Sequence, residues 1–242
     1  MPITAILFDL DGTLLEYDMT GEFLMPYLHA LGSYMAHLVP PKKLMDGILA
    51  ASAAITNNDG TRTNEDAFSD VFYPYIEHTR EEIEPHLMDF YAHEFPKLQR
   101  LTQRRPEARR IVQSAFDLDF DVVIATNPYF PAVATRHRMT WANVDGLPYH
   151  KVTTYENSHF AKPNLQYYQE ILDELDCPPE NALVVGDESM DMVAGNLGCP
   201  TFLVHSPATN MDTINPTPNY QGSLEDVEHL LHKFAQEKEV KL

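Results

Sequence analysis

The chain has 242 residues, 44% of them hydrophobic, which is enough to bury a sizeable core and argues against global disorder. Its 17 basic and 36 acidic side chains leave a formal charge of -19, a surface that repels nucleic acid and anionic membranes alike. Two cysteines, Cys177 and Cys199, cannot build a disulfide framework or a zinc site. That usage, a start at Met1-Pro2-Ile3-Thr4 without basic or cleavage-site character, and the lack of any apolar run of membrane-spanning length lead us to expect a soluble, cytoplasmic protein.

Taken in chain order, residues 3–8 form a short apolar run that reads as a buried strand. From about residue 16 to about 101 only helical patterns follow, at 21–38, 42–55, 64–77 and 81–95. Pro40-Pro41 and Asn57-Asn58-Asp59-Gly60 punctuate them. The pattern then alternates: helix at 106–116, strand at 122–125, helices at 131–138 and 164–175, strand at 182–185, helix at 190–197 and strand at 201–205. The last segment, 223–238, predicts an amphipathic helix with Ser223 as N-cap. Alternation of this kind predicts an α/β fold with a doubly wound parallel sheet and helices on both faces. The all-helical block predicts a second unit inserted after the first strand, so that residues 1–15 and 102–242 form one domain and 16–101 the other.

Polar residues follow the strands. Asp9-Leu10-Asp11-Gly12-Thr13 comes after the first, Thr126-Asn127 after the second, and Gly186-Asp187-Glu188-Ser189-Met190-Asp191 after the third. Lys162-Pro163 precedes the helix that leads into that third strand. In an open parallel sheet the loops at the carboxyl ends of the strands line the ligand crevice, so these groups are expected on one rim. Asp9 and Asp11 are two close carboxylates, which repel and call for a cation or a shared proton. Asp187 adds a third, and Asp191 a fourth at helical spacing. Oxygen ligands without Cys or His suit magnesium rather than zinc. Each motif alone is commonplace: an Asp-x-Asp is usually a turn or a surface pair, and a lone lysine is usually solvated. Their conjunction at successive strand ends points to phosphate chemistry.

The set resembles the haloacid dehalogenase superfamily and its phosphatase branches. Asp9-Leu10-Asp11-Gly12-Thr13 matches the first motif of that family, Thr126 the second, Lys162 the third, and Gly186-Asp187 with Asp191 the fourth. The helical insertion between the first two is similar to the cap of phosphoglycolate phosphatase-like and β-phosphoglucomutase-like members. The resemblance implies a Rossmann-like core, a cap and a magnesium-dependent phosphatase acting on a small phosphorylated metabolite. It implies Asp9 as nucleophile and Asp11 as general acid and base, a role that requires Asp11 to be protonated when substrate arrives. Magnesium would be held by Asp9, the Asp11 backbone carbonyl and Asp187, with Asp191 orienting them. Thr126, Asn127 and Lys162 would hold the phosphoryl oxygens, Lys162 also compensating charge. Thr126 stands where many members have Ser, and Glu188 adds a further acid beside Asp187, to which no role is assigned.

The second acid, Asp11, favours phosphate chemistry over carbon–halogen cleavage, for which the family needs no magnesium. A phosphosugar mutase remains an alternative, as does a phosphonate hydrolase. The latter would need a cap lysine, and Lys42, Lys43 and Lys97 are the only ones in or beside the insertion. A third alternative is a non-catalytic pocket protein, which the complete acid and lysine set disfavours. Tyr17, Asp18 and Thr20 are expected near the hinge of the insertion. His29, Tyr34 and His37 read as half-buried residues on an amphipathic face, and Trp141 as packing.

Overall fold

The computed structural model describes residues 2–206, 209 and 211–239. Six parallel strands make the sheet: β1 (Ala5–Phe8), β4 (Asp121–Ile124), β5 (Lys151–Val152), β6 (Ala182–Gly186), β7 (Thr201–Val204) and β8 (Tyr220–Gly222). The remaining two, β2 (Leu15–Glu16) and β3 (Gln103–Arg104), form a separate antiparallel pair. The six run in the order β5-β4-β1-β6-β7-β8, each in parallel register with its neighbours.

Side chains of successive strand residues point to opposite faces. Ile6 and Phe8 of β1 accordingly pack with Val122, Ile124, Leu183 and Val185, while Ala5 and Leu7 pack with Val123, Ala182 and Val184. The first face is covered by α5 (Ala108–Asp117), α6 (Ala132–Ala142) and α9 (Leu224–Glu239). The second is covered by α7 (Leu165–Glu174), through Tyr167, Tyr168, Ile171 and Leu172. Burial on both faces is why the central strands read as continuous apolar runs. The fold is therefore the doubly wound, Rossmann-like α/β sheet expected from the sequence.

Four helices leave the sheet between β2 and β3: α1 (Leu24–Met35), α2 (Pro41–Thr56), α3 (Asn64–Ile76) and α4 (Arg80–His93). Local chemistry sets their ends. Thr63 caps α3 by accepting from Asp66 N, and Thr79 with Glu82 forms a capping box at α4. An aromatic cluster joins these helices to α6. The Phe95 ring lies 5.3 Å from that of Trp141, nearly parallel to it, and Tyr27 meets Phe130 at 5.3 Å. Trp141 is thus a packing residue. The chain leaves for the helices and returns from them along β2 and β3, which pair Leu15 with Arg104 and Glu16 with Gln103.

Several elements differ from expectation. The helix expected at 190–197 is a four-residue helix, α8 (Ser189–Met192), followed by a 3₁₀ segment, Val193–Leu197. Gly195 within it and Gly198 at its left-handed end (φ +101°) weaken α-helix and explain the break. Strands β2, β3, β5 and β8 are two or three residues long, too short to show alternation. His29 and His37 are exposed rather than half-buried. Among the described residues, no helix is long and apolar enough to cross a membrane.

Candidate active site

The sheet order reverses direction on either side of β1, whose neighbours are β4 and β6. That is the switch point at which such sheets bind ligands beyond their carboxyl ends. Asp9, Thr126 and Asp187 directly follow, or nearly follow, these three strands, so the topology delivers them to one place.

The loop after β1 is held from both sides. Asp9 N donates to the Val185 carbonyl at 2.8 Å, and Leu10 is fully buried. Gly12 then turns the chain at φ +85°, a conformation that disfavours residues with a Cβ. Any Cβ at Gly12 would stand 2.2 Å from Asp187 Oδ2, so the absence of a side chain there lets the two loops meet. Thr13 closes the contact by donating its hydroxyl to Asp187 Oδ1 at 3.1 Å. Arg105, returning from the helices, donates to the Gly12 carbonyl at 3.0 Å.

Lys162 is 3% exposed, and its Nζ donates to Asp9 Oδ1 at 2.8 Å and to Asp191 Oδ1 at 2.5 Å. The other oxygen of Asp191 accepts from Glu188 N at 3.2 Å. Burial opposes the charge on Lys162, but the carboxylates of Asp191 and Asp9 outweigh it and hold the ammonium well above its ordinary value. Burial pushes the Asp9 carboxyl well up, against the pull of Lys162 and with the repulsion of Asp191, Asp11 and Asp187. Burial likewise raises Asp187 to about 7, helped by Asp191 and Glu188 and resisted by hydrogen bonds from Ser206 and Thr13.

Asp9, Asp187 and Asp191 each present a carboxylate oxygen within 4.8 Å of the others, and all three are buried. Three hard oxygen donors with no Cys or His among them make a site that fits a magnesium-like cation. Loading such an ion would displace the protons that burial favours.

Asp11 faces a different set of partners. Its Oδ1 accepts from the Tyr17 hydroxyl at 2.6 Å. Its Oδ2 accepts from Arg138 Nη1 and, at 3.3 Å, from the Thr126 hydroxyl. Arg138 is 1% exposed, its Nη2 donates to Thr135 Oγ1 at 3.0 Å, and its Nε is buried without a partner among the described residues. Burial and the Asp11 carboxylate push the Tyr17 hydroxyl well above its ordinary value.

The residues singled out from sequence thus sit together: Asp9, Asp187, Asp191 and Lys162 in one buried group, with Asp11 and Thr126 bonded beside it. Asn127 borders the same space, its side-chain oxygen accepting from Lys162 N at 3.1 Å and its amide reaching Met190 Sδ at 3.6 Å. Glu188 starts α8 and faces the cavity, and burial raises its carboxyl. Arg138 and Arg105 escaped sequence reasoning. The run Arg136-His137-Arg138 reads as an ordinary solvated helix face, and nothing in it marks Arg138 as the buried one.

A cavity of about 410 Å³ opens above Asp9, Asp11 and Asp187 and runs up between the four inserted helices. Lys42, Lys43 and Lys97 do not line it, and each is paired instead with an acid, Asp46, Glu77 and Glu94 respectively. His29, Tyr34 and His37 do not line it either.

Residues 3–197 match a family model described as haloacid dehalogenase-like hydrolase. Pyrophosphatase PpaX of Bacillus cereus strain Q1 is 25% identical over 218 residues, spanning 84% of each chain, and PpaX of Bacillus thuringiensis strain Al Hakam is equally similar over the same shares. Among solved structures, the 2-haloacid dehalogenase of Pseudomonas syringae pv. Tomato DC3000 matches with a TM-score of 0.65 at 17% identity, over 96% of this chain and 99% of that one. A HAD phosphatase from Thermococcus onnurineus matches with a TM-score of 0.58 at 16% identity, over 95% and 98%. At these identities the structural likeness speaks to fold alone.

Proposed function

Because this chain belongs to the haloacid dehalogenase-like hydrolases, we propose that it is a magnesium-dependent phosphatase that hydrolyses a small phosphomonoester through an aspartyl-phosphate on Asp9. The observation that carries this reading is the meeting of Asp9, Lys162, Asp187 and Asp191 at the carboxyl ends of β1 and β6, with Asp11 two residues from the nucleophile. A dehalogenase reading, open on fold alone, has no use for that second acid or for a carboxylate triad.

Asp9, Asp187 and the Asp11 carbonyl would hold the metal. Asp191 has both oxygens engaged by Lys162 and Glu188 N, which suits an orienting role. Magnesium, when bound, would supply the positive charge that lets an anionic carboxylate approach an anionic phosphoryl group. Lys162 would extend the same compensation to the phosphoryl oxygens, and Thr126 and Asn127 would fix their orientation.

In the first step the carboxylate of Asp9 attacks phosphorus, the bond from phosphorus to the ester oxygen breaks, and Asp11 gives that oxygen a proton. In the second step Asp11 takes a proton from water as the water attacks the acyl phosphate. The bond to Asp9 then breaks and phosphate leaves. Asp11 would act beside Arg138 and Tyr17, each of which donates a hydrogen bond to one of its oxygens. Residues 16–101 would act as a cap over the core of 1–15 and 102–242, excluding bulk water. With no lysine at the cavity wall, a Schiff-base phosphonate reaction has no candidate nucleophile among the described residues.

The test is phosphate release from a panel of monoesters with magnesium, followed by the Asp9→Asn variant. Turnover should need the metal and fall by about a thousandfold or more in the variant. Undiminished release by the variant would rule out Asp9 as the nucleophile.

A further inference from the structure

The cavity above Asp9 must receive whatever alcohol the phosphoryl group leaves, and its walls differ sharply from its floor. The floor carries Asp9, Asp11, Asp187, Glu188 and Asp191. The walls are hydrocarbon and aromatic, with Leu31, Ile48, Phe68, Phe72, Leu87 and Met88 contributed by all four inserted helices.

Some polar groups along the walls are spent on one another, and the hydroxyls of Thr20, Ser52, Ser69, Tyr73 and Tyr155 are set among a larger number of apolar side chains. The Tyr27 and Tyr91 hydroxyls are hydrogen bonded together at 2.8 Å. The Tyr129 hydroxyl is bonded to Thr56 at 2.8 Å. Glu84 is gripped by Arg80 through two bonds, of 2.9 Å and 2.6 Å. The single cation lining the space among the described residues, Arg138, is committed to Asp11 and Thr135. Lys162 beneath it is shared between Asp9 and Asp191.

These facts discriminate among leaving groups. A second phosphate or a carboxylate would meet five acids with no free wall cation to offset them. A polyhydroxylated group would exchange water for walls that are mostly hydrocarbon and aromatic, at a cost of roughly tenfold in affinity for each buried hydroxyl left unpaired. An alkyl or aryl group instead gains about fourfold in affinity for each methylene it hides from water. The cavity volume lies in the range of small-molecule sites, most of whose lining is apolar.

We propose that the substrate is the phosphate monoester of an uncharged, chiefly hydrocarbon alcohol, with its apolar part lodged between the inserted helices. This deepens the phosphatase reading and rests on it for the orientation of the ester. It sets the chain apart from a pyrophosphatase, whose leaving group is an anion.

Two measurements test it on the full-length protein. The first is kcat/KM for n-alkyl monophosphates from methyl to octyl, whose leaving groups share one chemistry, alongside glucose 6-phosphate and pyrophosphate, all with magnesium. Values should climb roughly fourfold per methylene through the middle of the series. The sugar phosphate and pyrophosphate should fall at least tenfold below butyl phosphate. A flat series, or preference for either polar substrate, overturns the proposal while leaving the phosphatase intact. The second is calorimetric binding of non-hydrolysable n-alkylphosphonates to Asp9→Asn, which needs no turnover. Affinity should rise with chain length, with a heat-capacity change that grows more negative. Chain-length-independent affinity overturns the proposal even if no phosphatase activity is found. Absence of any Asp9-dependent phosphate release, with chain-length-dependent phosphonate binding, would reject the phosphatase and keep the apolar site.

Discussion

Arg138, buried in α6, donates from Nη1 to Asp11 Oδ2, so the acid two residues after the nucleophile is tied to a helix 127 positions further along the chain. With Tyr17 on the other oxygen, Asp11 is braced from both sides. A buried ion pair broken at one partner leaves an uncompensated charge, which is typically costly.

Arg138→Met should therefore destabilise the protein by about 3 kcal/mol in urea denaturation. Arg138→Lys, which keeps the charge but loses the planar fork that also reaches Thr135, should retain most of the stability and lower kcat about tenfold. Wild-type unfolding midpoints and turnover in both variants would show that the brace is inconsequential.

Lys162 lies between two buried acids, and its removal strands both. Lys162→Met should cost about 3–5 kcal/mol in metal-free protein, with part of that recovered on adding magnesium. Lys162 has a raised folded-state value, so its contribution is present below its unfolded value and fades only as the solution becomes strongly alkaline. An unfolding midpoint in the variant equal to wild type would contradict the geometry.

Asp187 gives the same sign, but in a window that reaches neutrality. Its carboxyl is raised from 3.8 to about 7, so between those values the folded chain binds more protons than the unfolded chain. Chelator-treated protein should lose stability as pH rises across that window. Magnesium binds the deprotonated carboxylate, so it should restore stability progressively more toward pH 8. Chemical denaturation at pH 5 and pH 8, with and without the ion, reads both effects. A pH-independent response to magnesium would contradict Asp187 as a ligand.

Gly12→Ala places a methyl 2.2 Å from the Asp187 carboxylate at a φ of +85°. The backbone strain should cost at least about 1 kcal/mol. Displacement of Asp187 should weaken magnesium-dependent turnover about a hundredfold or more. Titrating activity against magnesium distinguishes the two effects, since only a displaced Asp187 raises the concentration required.

What the sequence disclosed follows from physical scale. Strands β1, β4, β6 and β7 are buried on both faces, so their runs of Ile, Leu, Val and Phe stand out from the turn residues around them. Asp9, Asp11 and Asp187 are legible because each closely follows such a run, Asp191 by its helical spacing from Asp187, and Lys162 because it precedes the helix that leads into one. The pair Lys151-Val152 and the triplet Tyr220-Gln221-Gly222 carry no such contrast, and only the sheet around them makes them strands. Arg138 and Arg105 are of another kind. Their burial arises from packing between segments distant in sequence, and an arginine looks the same in a string of letters whether it faces water or a carboxylate.

The short ladder of β2 and β3 has a mechanical corollary. Strands bonded in register resist sliding past one another, so this seam hinders the four helices from shearing along the core, and the aromatic contacts of Phe95 with Trp141 and of Tyr27 with Phe130 hold them against it. Arg105 sits one residue beyond the seam with its guanidinium on the Gly12 carbonyl. The segment returning from the helices is thereby tied directly to the turn that carries Asp9 and Asp11, so a disturbance at one is felt at the other.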